Sequence, residues 1–159
     1  MMLIGTPGAL IQTLGSSLAV SGVLIALLFL LAFRSLGLCL GGLLASLLPV
    51  VGVLGIMGWL GIKVDVATVM TCSVAFGLAV DDTFHYLHFR QVTGSMTQAA
   101  GAAGQGIVAT TFMISAGFLV LGLSGFTPVA RFGLLTALAV VLALILDAVL
   151  LPALVGDKR

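Results

Sequence analysis

Five apolar runs, each long enough to cross a bilayer, leave this chain little choice of fold. Residues 17–33, 36–60, 66–86, 106–124 and 129–151 are dominated by Leu, Val, Ala, Ile, Phe and Gly. About 20 apolar residues in a helix span the roughly 30 Å hydrocarbon core. In lipid, a lone segment satisfies its own backbone polar groups only as a helix. Charged residues make up 7% of the chain, against about 25% in soluble domains, so a water-facing surface cannot be covered. The expected fold class is all-α, a polytopic membrane protein with a bundle of five transmembrane helices. Residues 1–16 read as an external or interfacial lead-in, either a short helix at about 9–14 or a frayed segment. Residues 17–154 read as the transmembrane domain and 155–159 as a cytoplasmic tail.

The punctuation between the runs supports this division. Arg34 closes the first run, and Pro49, inside the second, removes a backbone donor and is expected to kink its helix. Gly37, Gly41, Gly52, Gly55 and Gly58 give that helix small faces for close packing. Asp65 suits the N-cap of the third helix, and Pro128 suits the first turn of the fifth. Residues 88–105 are polar with Arg90 as their one charge, and read as a loop carrying a short surface helix at 96–103. With the N-terminus outside, Arg34, Arg90, Lys158 and Arg159 are cytoplasmic while Lys63 and Arg131 are external, the arrangement the positive-inside rule favours. A net charge of +1 without a basic cluster argues against nucleic acid as a partner. Cys39 and Cys72 both fall inside apolar runs and suggest neither a disulfide framework nor a metal site.

Against this apolar background the acids stand out. Glu is absent, and the acids are Asp65, Asp81, Asp82, Asp147 and Asp157. One ionisable side chain at the centre of a membrane helix costs about 2.5–3.5 kcal/mol on insertion scales, so the adjacent Asp81 and Asp82 imply use. At 1.5 Å rise per residue, Asp81 lies about 22 Å along the third span and Asp147 about 27 Å along the fifth, at similar depths in the inner half. Asp81 and His85, four apart, share a helix face with His88, whereas Asp82 is turned about 100° away. Thr110 and Thr111 enter the fourth span from the same side as candidate hydrogen-bond donors. The expected chemistry is exchange of a proton between a desolvated carboxyl and a water-filled path. The alternative for the acids is plain hydrogen bonding between helices. His85 and His88 read as polar anchors at a helix end. Thr68, Thr71, Ser73 and Gly77 read mostly as packing devices. An Asp/His/His metal site lacks a further ligand, so no metal and no cofactor other than the coupling proton is expected.

The stretch Gly77-Leu78-Ala79-Val80-Asp81-Asp82-Thr83-Phe84-His85, followed by Leu87-His88-Phe89-Arg90, resembles the Gly-x-x-Val-Asp-(Asp/Tyr)-x-x-His signature of the resistance-nodulation-division (RND) superfamily. Within it, the chain looks like the branch similar to MMPL and hydrophobe/amphiphile efflux proteins. Leu30 to Leu36 resembles the loop between the first two helices of that bundle. Ala116 to Ser124 with Phe126, and then Phe132 to Ala137, resemble its last two helices, and Asp147 to Leu154 its closing segment. The uncharged stretch from Gln91 to Gln105 departs from the usual Glu- and Arg-bearing loop, and Ser46 stands where a more polar residue often precedes Leu-Leu-Pro.

The resemblance implies the last five helices of the second of two repeats, half of an RND-type membrane domain and hence a portion of a larger transporter. It implies a proton-motive-force-driven exporter of hydrophobic or amphiphilic substrates, lipids among them, in a bacterial inner membrane. Asp81 and Asp82 match the motif's acidic positions; Asp147, Thr110 and Thr111, read from their depth in the bundle, are further candidates for the proton relay. The implied partners are membrane lipid, the hydrophobic substrate, and the remaining half of the transporter or a second copy. Such a protein is a secondary transporter and not an enzyme. Two other readings of the chain stay open: a non-catalytic lipid-sensing or scaffolding bundle, and an intramembrane aspartyl protease, which also needs two membrane carboxylates.

Overall fold

The computed structural model describes residues 7–155. It is helical from end to end: α1 (Pro7–Phe33), α2 (Leu36–Trp59), α3 (Val66–Thr93), α4 (Met96–Leu121) and α5 (Thr127–Val155), and no strand occurs among the described residues. All five are long and apolar enough to cross a membrane. The fold is a five-helix membrane bundle.

Short connections make chain neighbours antiparallel. Arg34, in the left-handed region at φ 47°, and Ser35 turn α1 into α2. Gly94, at φ 72°, caps α3 with its N–H on the Arg90 carbonyl, and α4 begins two residues later. Side chains from separate helices tie the ends together. Gln91 Nε2 donates to the Phe33 carbonyl at 3.2 Å, joining the ends of α3 and α1, and Arg131 donates to Asp65 Oδ2 at 3.4 Å, joining the starts of α5 and α3. Thr83, 18 residues past Asp65, meets Asp147, 16 residues past Arg131, so α3 and α5 run parallel.

The central element is α3, which packs against each of the other four helices. Meanwhile α5 contacts α2, α3 and α4, and α1 contacts α2 and α3 alone among the described residues. One buried cluster, built on Phe29, Phe33, Tyr86, Leu87, Ile107 and Leu151, fills the end nearer the Gly94 turn. A second, built on Val50, Val53, Met57, Phe76, Leu135 and Ala139, fills the other end. A Cβ at Gly42 would lie 2.6 Å from the Phe29 ring and 3.0 Å from Leu87 Cδ1, so glycine lets α1, α2 and α3 meet there. The outer faces carry exposed Val23, Leu31, Phe112 and Met113, side chains suited to lipid.

The structure differs from the sequence expectation at helix ends. Residues 7–16 of the expected lead-in are the first turns of α1; residues 1–6, and 156–159 of the expected tail, lie outside the described residues. The polar stretch 88–105 is not a loop: α3 runs on to Thr93, and the short surface helix at 96–103 is the start of α4. Polarity there reflects helix turns beyond the greasiest part of the span, and Gly94 is what breaks the chain. The fourth helix stops at Leu121 and the fifth starts at Thr127, with Pro128 in its first turn as expected. Pro49 is buried inside a continuous α2.

Candidate functional site

Because α3 is longer than the apolar run suggests, Asp81 and Asp82 sit within about three residues of its midpoint and not toward its end. At 1.5 Å per residue the helix is about 42 Å long, so roughly 20 Å of helix flanks the pair on each side.

Asp81 points away from the bundle interior. Its side chain is 71% exposed and lies 3.7 Å from His85 Nε2, one turn on, which is 56% exposed. At that distance the contact is an ion pair when the imidazole is protonated, and too long for a good hydrogen bond. Asp81 also lines an apolar groove of about 590 Å³ between α1 and α3, with Ile25, Leu28, Phe29, Gly77, Val80 and Phe84. A Cβ at Gly77 would meet nothing within 4 Å. Gly77 therefore widens the groove instead of closing a contact within this chain, contrary to the packing role expected for it.

A second cavity, about 380 Å³, lies between α3 and α4 and is lined by Asp81, Asp82, His85, Ile107, Thr110 and Val140 among others. The two adjacent acids thus share one cavity, while Asp81 alone reaches the α1 groove. The threonines expected to serve the acids divide. Thr110 lines this cavity, but its hydroxyl donates to carbonyls of its own helix, Gly106 at 3.1 Å and Ile107 at 3.0 Å. Thr111 is buried with its hydroxyl unpartnered by protein. His88 stacks on Phe84 at 6.4 Å between ring centroids.

Asp147 is 3% exposed and belongs to a different constellation. Thr83 Oγ1 lies 3.0 Å and 3.2 Å from its two carboxyl oxygens. Ser46 Oγ lies 3.2 Å from Thr83 Oγ1 and donates to the Gly42 carbonyl at 2.9 Å. This polar file joins α5, α3 and α2 in the bundle interior. Sequence reasoning placed Asp147 at the depth of the Asp pair, but it passed over Thr83 and did not assign Ser46 a partner. The available signals were faint: a hydroxyl residue directly after the Asp pair, and a serine in an otherwise apolar turn.

Five lipid-competent helices, four of them packed around a central one that carries carboxylates at mid-length, define an integral membrane protein. Comparison with known proteins adds one relative. A protein of Methanocaldococcus jannaschii, whose name goes no further than a provisional membrane assignment, is 29% identical over 152 residues, covering 91% of this chain and 39% of that protein. The chain therefore spans well under half the length of the relative it matches. No protein-family profile matches the chain, and no solved structure gives a significant match.

Proposed function

We propose that the chain is the membrane part of a proton-motive-force-driven exporter of hydrophobic or amphiphilic substrates, of the RND type. Asp81 and Asp82 are its proton-exchanging pair. The observation that carries this reading is the position of the two acids at the middle of α3, the one helix that touches every other. Intramembrane carboxylates are costly, and they mark proton or substrate pathways by default. A change of charge there acts on the helix best placed to move the whole bundle, as in the rigid-body rocking of other transporters. The resemblance of Gly77 to Arg90 to the RND signature supports the assignment. So does the longer relative, whose extra length leaves room for further segments of such a transporter beside the five helices. On this reading the groove between α1 and α3, where Asp81 is exposed, faces the remaining half of the transporter or a second copy. The membrane is a bacterial inner membrane, with the N-terminus outside.

The test is proton-coupled efflux by the complete transporter in vesicles. Asp81→Asn is expected to reduce pH-gradient-driven export to the level of protein-free vesicles, with the protein still inserted and helical. Normal export by that variant removes Asp81 from the mechanism. A lipid-sensing bundle is the second reading, favoured by the apolar groove between α1 and α3, whose volume of about 590 Å³ suits an acyl chain. Saturable photolabelling of Leu28 or Phe84 by a lipid probe, with no proton flux under any gradient, would favour it.

A further inference from the structure

Asp147 differs from the other two intramembrane acids in having no cavity-wide exposure and a single protein donor. No Lys, Arg or His lies within ion-pair distance of it among the described residues. Among the described residues Thr83 alone reaches its carboxyl oxygens, Ser46 stands behind Thr83, and the Gly42 carbonyl ends the file. A carbonyl only accepts, and each hydroxyl has one proton and two lone pairs to place. The file therefore has two self-consistent directions.

With Asp147 ionised, the Thr83 hydroxyl donates to the carboxylate, and the Ser46 hydroxyl donates to Gly42 O or to Thr83 Oγ1. With Asp147 neutral, its own O–H donates to Thr83 Oγ1. The Thr83 hydroxyl is then released to Ser46 Oγ, and the Ser46 hydroxyl is committed to Gly42 O. One proton is gained at Asp147, and no other covalent bond changes.

We infer that Asp147, Thr83 and Ser46 form a three-helix proton switch, in which one proton at Asp147 reverses the file and turns the Thr83 hydroxyl from α5 toward α2. This deepens the proton-exchange reading above and rests on it. A hydrogen bond to an ionised acceptor is shorter and stronger than a neutral one, so the ionised form binds α3 to α5. The neutral form keeps a bond from Asp147 to Thr83 and frees the Thr83 hydroxyl for Ser46, so it ties α3 to α2 as well.

The two acid sites have neighbouring cavities. Asp147 lines a cavity of about 170 Å³ together with Tyr86, Ile107 and Leu144. Ile107 also lines the cavity that holds Asp81 and Asp82. This one side chain, 8% exposed, is the partition between the two acid sites. The titratable groups close enough to act on Asp147 are Asp82 and Tyr86, both from α3. The described parts of α1 and α4 contain no ionisable side chain, α2 contains only Cys39, and Arg131 of α5 lies at the far end beside Asp65. Thr83 and Ser46 are positioning residues that act through Asp147.

The test is acid-minus-alkaline infrared difference spectroscopy of the full protein in lipid vesicles. The switch requires a protonated-carboxyl C=O band that vanishes in Asp147→Asn. Thr83→Val should move that band to higher frequency, because the neutral acid loses its acceptor. Thr83→Ser should restore it, Ser46→Ala should shift it less, and Ile107→Ala should speed its hydrogen–deuterium exchange. The Thr83 pair leaves Asp147 in place, so the test holds even if Asp147→Asn does not fold. A band that Thr83→Val leaves unmoved, or the absence of any Asp147 band between acid and alkaline pH, overturns the switch. The exporter reading is judged separately, by whether Asp81→Asn retains export.

Discussion

At the scale of single residues, Asp65 shows how one carboxylate serves two ends of the bundle. Its Oδ1 accepts from the Thr68 backbone N–H at 2.9 Å, while its own N–H donates to Thr68 Oγ1 at 2.8 Å, a reciprocal cap on α3. Its Oδ2 takes Arg131 from α5. Removing an N-cap of this kind costs about 1 kcal/mol, and an exposed ion pair adds about 0–1 kcal/mol. Asp65→Ala is therefore expected to lower stability by about 1–2 kcal/mol, read by unfolding in mixed micelles. Asp65→Asn keeps the cap acceptor and should lose only the Arg131 share. Equal losses in the two variants would show that the cap contributes nothing. The N-cap was legible in the sequence because a cap is local chemistry. The Arg131 partner was not, since it depends on α3 and α5 running parallel in register.

At the scale of elements, the apolar runs were enough to count the helices but not to end them. Hydropathy reports what surrounds a helix, and it fades at His85 although the backbone continues helical to Thr93. Gly94, with its left-handed φ, was the true stop signal. Seating Asp81 and Asp82 at the helix middle follows from that single correction. Likewise Asp81–His85 was legible as a spacing of four along one helix. Thr83–Asp147 was not, because it depends on how two distant helices are rotated about their axes. Element packing also separates glycines that look alike in sequence. At Gly133 a Cβ would collide with the Phe118 carbonyl oxygen and lie 2.7 Å from Leu121 Cβ, so α4 and α5 are held at glycine distance. Gly133→Ala is expected to cost about 1–3 kcal/mol as the helices are forced apart. Gly77→Ala, which meets nothing within 4 Å, should be neutral or slightly stabilising. Thermal unfolding of the two variants in detergent measures the contrast. Equal behaviour would mean that α4 and α5 do not approach as closely as the structure has them.

For the whole molecule, the two tied ends carry different charge. The Asp65–Arg131 contact gathers the α2–α3 and α4–α5 turns, with Lys63, at one end. The Gln91–Phe33 contact gathers the α1–α2 and α3–α4 turns, with Arg34 and Arg90, at the other. One of the two cations at the first end already faces an acid at 3.4 Å. The second end is therefore the more basic and the one expected in the cytoplasm. The native cysteines make this easy to measure, because Cys39 and Cys72 are both buried and should stay silent toward a membrane-impermeant maleimide. Ser124→Cys, in the α4–α5 turn, should be labelled in intact cells. Ser95→Cys, in the α3–α4 turn, should be labelled only after permeabilisation. The reverse pattern would turn the bundle over, placing the more basic end outside. It would also turn over the sidedness of any proton route from the Asp81–Asp82 cavity past Ile107 to Asp147. Labelling of both from the same side in intact cells would be worse for the fold, since it would put an even number of crossings between two turns that α4 alone connects.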